Sequence, residues 1–187
     1  MKIFCDFDNT IVNTIATFTS LYNEDFKFYD EFLPIKWWEV NSWEFKECNC
    51  CTREYINTYF NQPRFFDKLT YMDWVKETLE ELKNEYEIII VSMGDTPNLK
   101  LKKLWIKENL PYCKFVGVNF KDGNDKSSID MSEGILLDDS SKNLSTSNAL
   151  INVCFGDVCS WNEDWNGIRC NNWNDFKKFL KGDKLSN

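Results

Sequence analysis

The sequence predicts an α/β fold: a mostly parallel sheet flanked by helices, with a small helical unit inserted after the first strand. Three observations carry this. Apolar runs alternate with helix-period stretches from Thr70 onward, the rhythm of strand–helix–strand units. The runs are nearly all apolar, as expected of strands covered on both faces. Three of them, ending near Cys5, Val91 and Leu137, pass directly into polar residues, and functional groups gather beyond the carboxyl ends of parallel strands.

Residues 2–5 read as the first strand, and residues 13–22 as a helix with Ile15, Phe18, Leu21 and Tyr22 at helical spacing. Residues 23–64 break the rhythm. They are dense in aromatics and acids, Pro34 interrupts them, and residues 52–60 resemble a short helix. This segment is expected to be the insert, leaving 1–22 and 65–187 as a Rossmann-like core domain. Residues 70–82 read as a helix opened by Thr70 and Asp73, with Trp74, Val75, Leu79 and Leu82 as its buried stripe. Residues 86–91 are a strand running into Ser92-Met93-Gly94. Thr96-Pro97 reads as cap and first position of a helix to about Asn109, burying Leu101, Leu104, Trp105 and Ile106. Residues 113–118, 135–137 and 149–155 are the remaining expected strands, and residues 172–180 a final helix.

At 187 residues, 43% hydrophobic and 16% aromatic, the chain can bury one substantial core and room remains for a small second unit. A net charge of −8 argues against a stable nucleic-acid complex, which needs a basic surface, but not against one nucleotide in a pocket. No apolar stretch is long enough to span a bilayer and no secretory leader is evident, so a cytoplasmic protein with its eight cysteines reduced is expected. Cys48, Cys50 and Cys51 lack a fourth zinc ligand unless Cys113, Cys159 or Cys170 joins them, and a reduced or locally paired cluster is the preferred reading. The absence of histidine leaves acid–base work to carboxylates or lysine.

The chemistry concentrates at Asp6-Phe7-Asp8-Asn9-Thr10. Two carboxylates at a strand end repel unless a cation or partner lies between them. A Mg²⁺ site, with Asp6 free to attack and Asp8 able to handle a proton, satisfies both. A solvated strand end is the plain alternative, which the hydroxyl of Thr10, Lys126 and the pair Asp138-Asp139 disfavour.

Asp6-x-Asp8-x-Thr10, a strand ending in Ser92, Lys126 and Asp138-Asp139 together resemble the four motifs of the haloacid dehalogenase (HAD) superfamily. Asp8 resembles its phosphatase branch. Asn9 stands where glycine is usual, a mild departure because asparagine tolerates tight turns. A closer resemblance is to the 5′(3′)-deoxyribonucleotidases, through Pro63-Arg64-Phe65-Phe66-Asp67-Lys68-Leu69, Leu136-Leu137-Asp138-Asp139, the helical cap after the first motif and the tryptophan-rich stretch 161–176.

The resemblance implies a Mg²⁺-dependent phosphomonoesterase. Asp6 would form an aspartyl phosphate, Asp8 would be acid and base, Ser92 would bind a phosphoryl oxygen, and Lys126 (with Lys121 and Lys100 as rivals) would neutralise charge. Asp6, the Asp8 carbonyl, Asp138 and Asp139 would hold the metal. Thr10, Phe66, Trp37 and Trp38 would meet the substrate, a small phosphomonoester and by this resemblance a nucleoside monophosphate. Sugar-phosphate phosphatase, DNA 3′-phosphatase and non-catalytic module are the alternatives, and monomer and homodimer both stay open.

Overall fold

The computed structural model describes residues 1–182; the last five residues of the range assigned to the core domain, 183–187, lie outside them. Six strands pair parallel in the order β3-β2-β1-β4-β5-β6: β1 (Lys2–Cys5), β2 (Glu87–Gly94), β3 (Lys114–Asn119), β4 (Gly134–Asp138), β5 (Ile151–Phe155) and β6 (Ile168–Cys170). This is the doubly wound order, whose switch point lies between β1 and β4. Cys5 pairs with Ile90 and with Leu137, so the residues that follow on β1, β2 and β4 emerge side by side.

Alternation along the strands divides the core between the two faces of the sheet. Ile3 and Cys5 join one apolar cluster, while Phe4, Ile89, Val91 and Leu136 join the other. The first cluster also contains Ile35, Val40, Phe45, Ile56 and Tyr59 of the insert, which therefore shares its core with the sheet.

Helix α1 (Thr14–Phe26) runs four residues past its expected end, because Phe26 is buried against Tyr22 at 5.1 Å. The same helix anchors the insert. Asn23 exchanges two hydrogen bonds with the backbone of Ile35, at 2.7 and 2.9 Å. Asp25 receives Arg64 in a bidentate pair at 2.9 and 2.5 Å and the Tyr59 hydroxyl at 2.9 Å. Arg64 holds the Asp25 carboxyl below its ordinary pKa. The insert contains a 3₁₀ turn (Trp37–Glu39) and α2 (Arg53–Tyr59), capped by Thr52; α3 (Pro63–Asp67) follows.

Helix α4 (Val75–Leu82) begins five residues later than the Thr70 pattern suggests. Residues 70–72 are occupied elsewhere: the Asn13 amide donates to Thr70 O, Tyr71 bridges Val12, and the Met72 amide donates to Ile11 O. Helix α5 (Thr96–Asn109) takes Asp95 as its cap, one residue before the expected threonine, and the Asp95 carboxylate accepts from the Asn98 amide at 3.0 Å. Its inward stripe is Asn98, Lys102, Trp105 and Ile106, whereas Leu104 points out and is 48% exposed. Helices α6 (Ser141–Thr146) and α7 (Trp173–Leu180) complete the chain. Strand β6, only three residues long, was not foreseen.

Candidate active site

Asp6 leaves β1 with its amide donating to Leu137 O at 2.9 Å, which seats it beside Asp138 at the end of β4. Lys126 lies between the two. Its Nζ donates to Asp6 Oδ1 and to Asp138 Oδ2, each at 2.5 Å, and its side chain is fully buried. Asp138 is further held by the Ser140 amide at 2.9 Å and by the Asn143 amide group at 3.1 Å. Asp139 Oδ2 accepts from Trp161 Nε1 at 2.9 Å and from Asn9 at 3.4 Å. Asn9 itself adopts φ 53, the left-handed conformation for which glycine is the usual choice, and its side chain accepts from the Ile15 amide.

Asp6, Asp138 and Asp139 each bring a carboxylate oxygen within 4.8 Å of the others, and all three are buried. Burial raises the pKa of Asp6 to about 7; Lys126 pulls it back, while Asp138 and Asp8 push it further up. Burial, then repulsion from Asp6 and Asp138, drives Asp139 well above the carboxylate range. Burial opposes the charge on Lys126, but Asp138 and Asp6 outweigh it and leave its pKa raised. With all three buried acids ionised, one ammonium leaves negative charge that only protons or a cation can offset, and an all-oxygen donor set suits a hard divalent cation. The trio therefore fits the metal that the sequence implies.

The Asp8 carboxylate stands apart from this trio. Its Oδ1 accepts from Thr14 Oγ1 at 2.8 Å. Its Oδ2 faces Lys102 Nζ and, at 3.4 Å, Ser92 Oγ. Lys102 went unrecognised in the sequence, where it sits in the run Lys100-Leu101-Lys102-Lys103 as an ordinary solvated lysine. The helical spacing of 98, 102, 105 and 106 could have found it. Of the rivals to Lys126, Lys100 and Lys121 are exposed.

A cavity of about 520 Å³ opens over these groups, lined by Asp6, Asp8, Lys102, Lys126 and Asp139, with Trp43, Phe60 and Phe120 as aromatic walls and Arg53, Asn57 and Asn61 as polar ones. None of the four expected substrate contacts lines this cavity. Phe66 is buried and lines a separate hollow with Leu69, Leu104 and Trp105. Trp37 and Trp38, on the 3₁₀ turn, pack edge-on against each other and are 46% and 64% exposed, outside the cavity lining. Thr10 is fully buried; its carbonyl accepts from Trp173 Nε1 at 2.7 Å, and its hydroxyl has no partner.

The cysteines offer no second metal site: among the described residues, the acidic trio is the one group of metal-competent side chains. All eight thiols are free, and burial raises Cys48 to about 12 and Cys51 to about 11.

The family model described as "5′ nucleotidase, deoxy (Pyrimidine), cytosolic type C protein" matches residues 1–185. The chain belongs to this family. It is 30% identical, over 141 residues, to a 5′(3′)-deoxyribonucleotidase of Clostridium acetobutylicum, covering 74% of this chain and 73% of the relative. Among solved structures, a predicted phosphatase from Clostridium acetobutylicum superposes with a TM-score of 0.67 at 13% identity, covering 97% of this chain and 98% of that one. A haloacid dehalogenase-like hydrolase from Streptococcus pneumoniae gives 0.62 at 14% identity, covering 96% and 97%. These structural likenesses establish the fold. With the family match they make the protein a HAD-type hydrolase of the phosphatase kind.

Proposed function

We propose that the protein is a Mg²⁺-dependent phosphomonoesterase acting on nucleoside monophosphates through an aspartyl phosphate. The observation that carries this reading is the separation of two carboxylates only two residues apart. Asp6 is buried among Lys126, Asp138 and Asp139, while Asp8 turns to Thr14, Ser92 and Lys102. Acids placed in unlike surroundings can divide nucleophile and proton-transfer roles between them.

In the first half-reaction, an Asp6 carboxylate oxygen attacks phosphorus and the ester P–O bond breaks. The leaving oxygen takes a proton from Asp8. In the second, a water oxygen attacks the same phosphorus, its proton passes to Asp8, and the bond to Asp6 breaks, releasing phosphate. Lys126 offsets charge on Asp6 throughout, and Ser92 donates to a phosphoryl oxygen. Asp6, Asp138 and Asp139 would hold Mg²⁺, which when bound supplies Lewis-acid stabilisation of phosphoryl charge.

The cavity volume falls within the range of small-ligand pockets, about 300–1,000 Å³. The insert covers it with Trp43 and Phe60, which supports a small substrate over a folded protein or a duplex end. Three aromatic walls suit a base, which a sugar phosphate lacks. The likeness to a 5′(3′)-deoxyribonucleotidase supports the same substrate class. Free thiols suit a reducing, cytoplasmic setting.

The test is phosphate release from ribo- and deoxynucleoside 5′- and 3′-monophosphates, sugar phosphates and a 3′-phosphorylated oligonucleotide, each with Mg²⁺ and with EDTA. Metal-dependent release with the highest kcat/KM on mononucleotides is expected. No turnover on any substrate would end the enzyme reading, and faster turnover of sugar phosphates would end the nucleotidase reading.

A further inference from the structure

Lys102 is buried to 4% exposure, and its helix sets it in the lining of the cavity beside Asp8. Nζ donates to Asp8 Oδ2, to Ser92 Oγ at 2.9 Å and to the Met93 carbonyl at 2.9 Å, and it lies 5.5 Å from the centroid of the Phe7 ring. An ammonium has three donors and no acceptor. These three bonds use all of them, so no N–H remains to hold a phosphoryl oxygen.

We propose that Lys102 is a positioning residue that sets the hydrogen-bond polarity of Ser92 and the placement of Asp8. The inference rests on the reading of Asp8 as the proton carrier given above. Because Lys102 donates to Ser92 Oγ, the serine's own proton must point elsewhere. Its protein partner is Asp8 Oδ2, at a long 3.4 Å. A phosphoryl oxygen, itself only an acceptor, can take that proton over. Lys102 thus makes Ser92 a donor toward the anion. The same ammonium and Thr14 Oγ1 hold the two oxygens of Asp8 from opposite ends of the carboxylate. Asp8 is thereby held in one orientation on a short loop while the bond to the leaving group breaks.

This role predicts a dependence on the leaving group. A nucleoside alkoxide needs a proton as it departs, and general acid assistance is worth roughly 10²–10⁴ in rate. A 4-nitrophenolate departs without one. The experiment compares wild type with Lys102→Met, which keeps the volume and removes the donors, on a nucleoside 5′-monophosphate and on 4-nitrophenyl phosphate at saturating Mg²⁺.

The nucleotide kcat should fall about 100-fold with KM changed less than ~3-fold, and the aryl phosphate kcat should fall less than ~10-fold. Equal loss on both substrates, a KM rise at unchanged kcat, or near-normal rates on both would overturn the proposal. If Lys102→Met fails to fold, Asp8→Asn is compared with Asp8→Asn/Lys102→Met, which removes the charge pair together. A further loss of nucleotide rate below ~10-fold, the share carried through Ser92, supports Lys102 acting mainly through Asp8, and a further loss of tenfold or more overturns it. Wild-type turnover, and its loss in Asp8→Asn, report separately on the proposed reaction.

Discussion

The indole N–H of Trp161 donates to Asp139 Oδ2 at 2.9 Å, and the Asn162 side chain donates to the Asp139 carbonyl at 3.0 Å. The segment after β5 thus fixes both the carboxylate and the backbone of one member of the acidic trio. Partners that orient ligands commonly matter by 10- to 100-fold in metal affinity. Trp161→Phe should therefore weaken Mg²⁺ binding by about tenfold, read by calorimetric titration of the folded protein. Unchanged affinity would show that the indole bond is dispensable.

Asp6→Asn should leave the protein folded and lower kcat by more than about 10⁴-fold, since the amide cannot form the acyl phosphate. Phosphate release and a circular dichroism melt check the two halves. A near-normal rate would show that water attacks directly.

Stability of the metal-free protein should fall as pH rises. Asp6 has its pKa raised to about 7 and Asp139 is raised well above the carboxylate value, so the native state binds more protons than the unfolded state above pH ~4. The Asp6 contribution is full below that value and is lost as pH rises through about 7, and Asp139 acts in the same direction. Mg²⁺ competes with those protons, so its stabilising effect should grow from pH 5 to 8. Melting temperatures with Mg²⁺ and with EDTA across that range check this, and Asp6→Asn should flatten the EDTA curve. An EDTA curve that rises from pH 5 to 8 would contradict it.

Phe120 is 62% exposed and lines the cavity, so its loss carries little folding cost. If it stacks on a base, Phe120→Ala should reduce nucleotide kcat/KM by roughly tenfold, about 1.4 kcal/mol, and leave a base-free phosphomonoester unchanged. Phe66→Ala, at a buried site beside Phe65, should instead cost about 3 kcal/mol of stability without substrate selectivity. Steady-state kinetics on both substrate classes and denaturant melts separate the two.

Strands β1, β2 and β4 were legible because parallel strands covered on both faces leave unbroken apolar runs, and the change to Asp6, Ser92 and Asp138 is abrupt. The start of α4 was not legible, because the Thr70 pattern is local while the Tyr71–Val12 bridge is made across 59 residues of sequence. The cavity wall was not legible for a related reason. In an insert with little regular structure, no period says which way an aromatic ring faces, so Trp37 and Trp43 look alike in the sequence although only Trp43 lines the cavity. Lys102 was hidden by composition: a lysine among lysines reads as solvent-facing until the buried stripe of α5 is traced.

The contact between Trp43 and Trp161 has a spectroscopic consequence. The rings lie 5.6 Å apart at 51°, one on the insert above the cavity and one bonded to Asp139. Two indoles at that separation couple their excited states, and the near-ultraviolet circular dichroism of such a pair is sensitive to small rotations of either ring. A cation held at Asp139 would act on Trp161, and a ligand entering beneath Trp43 would act on the other ring. The molecule thus carries an intrinsic optical reporter across the seam between insert and sheet, with Trp43→Phe as its silent control.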